Sequence, residues 1–135
     1  MEKFSQTNKT SRIVGWILSA VVILFCLFDS FGKFAKPEAV IKGTMDLGYP
    51  ESTITTIGVI LLICIVLYAI PRTALLGAVL LTGYMGGAIA THLRIQNPLF
   101  SHILFPVYLG ILFWWGLYLR SEKLRRLVKN KPLTT

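Results

Sequence analysis

The sequence predicts an all-α membrane protein: four transmembrane helices in an antiparallel bundle, with both termini cytoplasmic. Three observations predict it. Apolar residues make up 54% of the 135 residues and charged residues only 15%, against about 45–50% and about 25% in soluble domains. The apolar excess falls into four runs, each about as long as a helix that crosses ~30 Å of hydrocarbon. The basic residues then divide unequally between the two sides that four crossings create. Mean hydropathy is +0.66. A soluble domain of this size buries only about two-thirds of its unfolded surface, so it has no way to hide so many apolar side chains. A soluble enzyme, a disordered tail and a disulfide scaffold are thereby excluded, and residues 1–135 read as one domain.

The first run is Ile13 to Phe31. Lys3, Lys9 and Arg12 precede it as the basic region of a signal peptide would. The run is longer than such a segment, however, and Asp29-Ser30-Phe31-Gly32-Lys33 offers no small-residue cleavage site. A loop from Gly32 to Ser52 follows. Within it, Pro37 to Gly48 reads as a short helix with Pro at its start and Gly at its end.

The second run is Thr53 to Ile70 and the third Thr73 to Leu93. Only Pro71-Arg72 joins them, so the two helices form a hairpin. The fourth run spans about Leu99 to Leu119, and Pro106 inside it is expected to kink the helix and free the carbonyl of His102. Backbone groups in lipid must pair within their own segment, which makes each run a helix. The tail, residues 120–135, is basic and reads as an extension of the fourth helix.

The formal net charge is +8. Lys3, Lys9, Arg12, Arg72, Arg120, Lys123, Arg125, Arg126, Lys129 and Lys131 fall on the side of the termini; Lys33, Lys36, Lys42 and Arg94 fall on the other. The positive-inside rule therefore places both termini in the cytoplasm. The basic residues flank apolar runs, so their partner is the lipid bilayer with its anionic head groups, not nucleic acid. Trp16, Trp114, Trp115 and Tyr118 lie near the inner ends of their helices, as interfacial aromatics do.

The third run carries small residues at helical spacing: Ala74, Ala78, Thr82, Gly86 and Ala90 in one row, Gly83, Gly87 and Thr91 in another. Small residues let helix backbones approach closely. The expectation is packing within the bundle around a central third helix; a homo-oligomer or a membrane-protein partner is the alternative.

Ionisable residues in hydrocarbon cost a few kcal/mol, face the interior and pair. Asp29 and Lys33 share a face of the first helix, His92 and Arg94 end the third, and His102 begins the fourth. All are expected near one depth, on the outer side. Tyr84, near the middle of the third helix, needs a partner for its hydroxyl and is placed with them. Asp29, Lys33, Tyr84, His92, Arg94 and His102 thus form the candidate ligand-binding cluster. Lys33 and Arg94 also suit snorkelling to the surface, and His102 an interfacial position. Cys26 and Cys64 lie at different depths and read as buried free thiols. No metal-ligand constellation, phosphate loop, nucleophile elbow or dinucleotide fingerprint is present, so whether the chain is an enzyme stays open.

Nearly the whole chain resembles the DoxX-like family. The likeness rests on Phe31-Gly32-Lys33-Phe34, on Leu47-Gly48-Tyr49-Pro50, on Pro71-Arg72 through Gly77, on Thr82-Gly83-Tyr84 through His92-Leu93-Arg94, and on the Trp-rich fourth helix. The resemblance implies a small four-helix bundle of the bacterial inner membrane, and points to Lys33, Gly87, His92 and Arg94. Some relatives are linked to thiosulfate:quinone oxidoreduction or to thiol-stress complexes, and many have no assigned activity. Two functions follow as expectations: a quinone- or lipophile-binding accessory of redox metabolism, or a non-enzymatic scaffold or assembly factor for a membrane complex. A transporter is less suited to four short spans without a pair of broken helices.

Overall fold

The computed structural model describes residues 2–129. Helix α1, Glu2–Ala35, is the longest. Its membrane-length part, Lys9–Ala35, has 27 residues, more than the apolar run alone, because nothing in the flanking polar sequence breaks a helix. The break comes at Lys36, whose φ is +50°: the following proline disfavours the helical conformation there. Helix α2, Glu38–Asp46, then starts after Pro37, and Gly48, with φ +90°, takes the left-handed turn beyond it. A single 3-10 turn, Glu51–Thr53, leads into α3, Ile54–Ala69.

Helix α4, Ala74–Arg94, follows the tight connection. There the Thr73 hydroxyl donates to the Leu67 carbonyl at 2.8 Å, pairing one of the carbonyls that a helix end leaves open. The fourth span is two pieces. A π-helical turn, Leu99–Ile103, precedes α5, Phe105–Arg120. Pro106 lies in the first turn of α5, where its missing N–H is no loss. The expected kink in a continuous helix is thus a break just before the proline. Helix α6, Glu122–Val128, is also separate, which corrects the expectation of one extended helix. Ser121 adopts an extended conformation and its hydroxyl accepts from the Leu124 amide at 3.2 Å, an N-cap that starts a new helix. Leu124 turns into the core. Of the basic tail, Lys131 and the other residues beyond 129 lie outside the described part.

Among the described residues, four helices are long and apolar enough to cross a membrane. Each contacts two neighbours in a ring, α1 against α3 and α5, and α4 against α3 and α5. Leu24, Phe28 and Phe100 are 67%, 80% and 74% exposed, an outward apolar surface that suits lipid. The core runs through Val22, Cys26, Leu61, Tyr68, Ala78, Leu81, Phe113 and Leu117.

The packing corrects the expected role of the small residues. Helix α4 makes less extensive contacts than α1, α3 or α5. A Cβ on Gly15 would lie 2.7 Å from the Gly116 carbonyl oxygen, and one on Gly116 would lie 2.8 Å from Ser19 Oγ. A Cβ on Gly77 would overlap the Tyr68 backbone nitrogen. These are the glycines that hold helices together. Gly83, Gly86 and Gly87 have nothing within 4 Å of such a Cβ, and Thr82 and Ala90 are exposed. Of the expected packing row only Ala74 and Ala78 are buried. Thr82 holds α5 through a hydrogen bond from Trp114 Nε1 at 2.8 Å. A spacing of four shows which residues share a face, but not whether that face meets protein.

One directed relay ties α1, α3 and α5 together near the α3–α4 turn. Arg120 Nε donates to Ser19 Oγ (2.9 Å), Ser19 Oγ donates to the Tyr68 hydroxyl (3.0 Å), and Tyr68 donates to the Phe113 carbonyl (2.7 Å). Arg120 also donates to the Tyr68 carbonyl at 2.7 Å and lies 4.2 Å over the Trp16 ring, a cation–π contact.

The two kinds of glycine predict opposite signs. Gly77→Ala should destabilise the protein by about 1–3 kcal/mol through overpacking. Gly87→Ala should leave stability unchanged or raise it, since Ala is the better helix former by about 1 kcal/mol. Thermal unfolding of both variants in one detergent checks this.

Candidate functional site

The end of the bundle away from the α3–α4 turn is hollow. A cavity of about 220 Å³ lies between α1, α3, α4 and α5. Three of its features follow from helical spacing on α1. Cys26, Asp29 and Lys33 are three and four residues apart, so they share a face, and that face turns inward. Asp29 and Lys33 form an ion pair at 2.5 Å, with the Lys33 side chain only 15% exposed. The close seat of Lys33 is made by Gly58 on α3, where an added Cβ would lie 3.1 Å from the Lys33 side chain. Pairing answers the cost of two charges in an apolar span.

Helix α4 supplies Tyr84 and His92, eight residues apart and therefore on one face. Both line the cavity. His92 Nδ1 lies 2.7 Å from Asn97 Nδ2. The amide nitrogen donates, so Nδ1 accepts and the ring proton sits on Nε2, leaving that nitrogen as a donor. The Tyr84 hydroxyl makes no hydrogen bond among the described residues. It is thus an open donor and acceptor beside an ion pair and an imidazole N–H. Phe25, Phe105 and Pro106 complete the wall, with the two phenyl rings 5.3 Å apart.

Four of the six expected residues therefore meet on one cavity: Asp29, Lys33, Tyr84 and His92. Arg94 and His102 do not line it, and both expectations are corrected. Arg94 reaches away from the bundle and donates to the Leu47 carbonyl at 2.6 Å, packing its guanidinium against Gly48. It clamps the loop after α2. Tyr49 adds a second tie by donating to Thr91 Oγ1 at 2.9 Å. His102 is exposed and bonded to Ser101 (2.7 Å), and its ring meets that of His92 edge-on, centroids 5.7 Å apart. Depth alone put these two with the others; side-chain direction separates them.

Cys26, Phe105 and Pro106 are cavity residues that hydropathy did not mark. For Cys26 the signal was present, since it lies three residues before Asp29. Both cysteines are buried and free. Among the described residues no group of three metal-ligating side chains occurs.

Two shallower grooves flank α4 on the lipid-facing surface. One, of about 280 Å³, lies between α3 and α4 over Gly83 and Gly87. The other, of about 420 Å³, lies between α4 and α5 over Gly86 and Gly110.

Residues 17–116 match the model of the DoxX-like family. Among curated proteins and among solved structures, none matches the chain.

Arg94→Ala should release the loop at Leu47–Pro50. A hydrogen bond from a charged donor, here exposed, protects by about 1–2 kcal/mol, so amide exchange in this loop should quicken about fivefold to thirtyfold. Exchange in α5 should not change.

Proposed function

This chain belongs to the DoxX-like family, and on that premise we propose that it binds a small lipophilic molecule with a polar ring, of the quinone class, as an accessory of redox metabolism in the inner membrane. The observation that carries the reading is the convergence of Asp29, Lys33, Tyr84 and His92 on one cavity within the spans. Buried polar groups in lipid are expensive. A cavity that gathers an ion pair, an unpaired hydroxyl and an imidazole N–H has a use for all of them when a carbonyl-bearing ring occupies it. Tyr84 and His92 donate to ring oxygens, and the Asp29–Lys33 pair offers an acceptor and a donor beside them. Apolar walls at Phe25, Phe105 and Pro106 suit the ring faces.

The bundle is antiparallel in this reading, with both termini cytoplasmic and the cavity near the outer face. Arg12, Arg72, Arg120, Lys123, Arg125, Arg126 and Lys129 support that orientation.

A second reading, a scaffold or assembly factor, is favoured by the open glycines of α4. A Cβ on Gly83, Gly86 or Gly87 would meet nothing within 4 Å, and a helix of a partner or of a second copy would fit such a surface.

Quinone binding tests the first reading. His92→Ala and Tyr84→Phe should each weaken binding of a benzoquinone about threefold to tenfold, the worth of one hydrogen bond. Binding by wild type that neither variant changes would remove the site from this cavity.

A further inference from the structure

We propose that the groove between α4 and α5 is the seat of a single hydrocarbon tail whose polar head occupies the cavity. The ligand class is therefore a one-tailed amphiphile, not a free water-soluble ring. The inference rests on the cavity reading above and adds where the rest of the molecule lies. At about 220 Å³ the cavity is smaller than the roughly 300–1,000 Å³ of sites that enclose a whole drug-sized ligand. It has room for a head group, and a tail must leave it.

Two side chains, Met85 and Pro106, line both the cavity and the α4–α5 groove. They stand between the two spaces. Met85 is 7% exposed, and its unbranched side chain changes rotamer at little cost, so a tail passes by displacing one thioether. The groove then runs from this wall toward Thr82 and Trp114, deeper into the span, which is where a hydrocarbon chain belongs. Its polar atoms are already paired: Thr82 Oγ1 donates to the Ala78 carbonyl at 2.8 Å and accepts from Trp114 Nε1. What remains is an apolar trough whose floor is backbone at Gly86 and Gly110. A Cβ at Gly86 would meet nothing within 4 Å, and one at Gly110 only Phe113, at 3.9 Å. The missing side chains leave the space that a tail fills.

The groove between α3 and α4 also shares two lining residues with the cavity, Tyr84 and Ala88, but differs in size and polarity. It is smaller, about 280 Å³. It runs from Tyr49 and Thr91, beside the loop, to Gly83, and Tyr49, Tyr84 and Thr91 give it a more polar lining than the α4–α5 groove has.

The test compares a methyl-substituted with a decyl-substituted benzoquinone, bound to the full chain in lipid nanodiscs. Gly86→Leu should weaken the decyl compound about tenfold, the scale of an overpacked contact, and leave the methyl compound unchanged. Gly110→Leu, from the facing helix, should repeat the result. Gly87→Leu, in the other groove, should bind both as wild type does. Retained methyl binding also shows that a variant is folded. Equal binding of both compounds by wild type and both α4–α5 variants would overturn the tail seat alone. So would a loss that appears in Gly87→Leu instead. Loss of both compounds in a folded Gly86→Leu would place the head in the groove and overturn it as well. Failure of wild type to bind either compound would overturn the cavity reading and this one with it.

Discussion

In hydrocarbon a polar atom has no water to turn to, and that constraint shapes both ends of this bundle. Near the α3–α4 turn it is met by one continuous relay, Arg120 to Ser19 to Tyr68 to the Phe113 carbonyl. Each hydroxyl in the relay both accepts and donates, so each partner's direction is set by the next. The relay crosses three helices, and Gly15 and Gly116 bring α1 and α5 close enough for it to form. Arg120 completes it by lying over Trp16. The result is an end tied across three helices.

The opposite end meets the same constraint by separate pairs. Asp29 holds Lys33, Asn97 holds His92, and Arg94 holds the Leu47 carbonyl. These pairs do not join into one relay, and between them a cavity stays open with Tyr84 on its wall, its hydroxyl without a hydrogen bond among the described residues. The break before Pro106 contributes to this, since a π-helical turn and a short gap replace the helix that would otherwise fill the space beside Phe105.

Much of this was legible in the sequence. Hydropathy located the four spans, and Pro37, Gly48 and Pro71 marked where helices begin or turn, because those residues restrict or free the backbone whatever surrounds them. Asp29, Lys33 and His92 stood out since charge in an apolar run demands a partner. Side-chain direction was not legible. Arg94 and His102 sit at the cavity's depth yet point elsewhere. Gly83, Gly86 and Gly87 look like packing residues and face outward, while Gly15, Gly77 and Gly116 form no row and make the tight contacts. Spacing reports a helix's faces; only the neighbouring helices decide what each face meets. The Ser121 cap was readable in principle, as a Ser directly before a charged, amphipathic segment, but the basic run around it resembled a continued helix.

The central claim is that the cavity beside Asp29, Lys33, Tyr84 and His92 receives a polar ring. Photolabelling with an azido-substituted benzoquinone in membranes, followed by peptide mapping, tests it most directly. The account predicts label within Phe25–Lys33 on α1 and Tyr84–His92 on α4, displaced by unlabelled quinone. Label confined to the α3–α4 turn or α6, or label that excess quinone leaves in place, would contradict it.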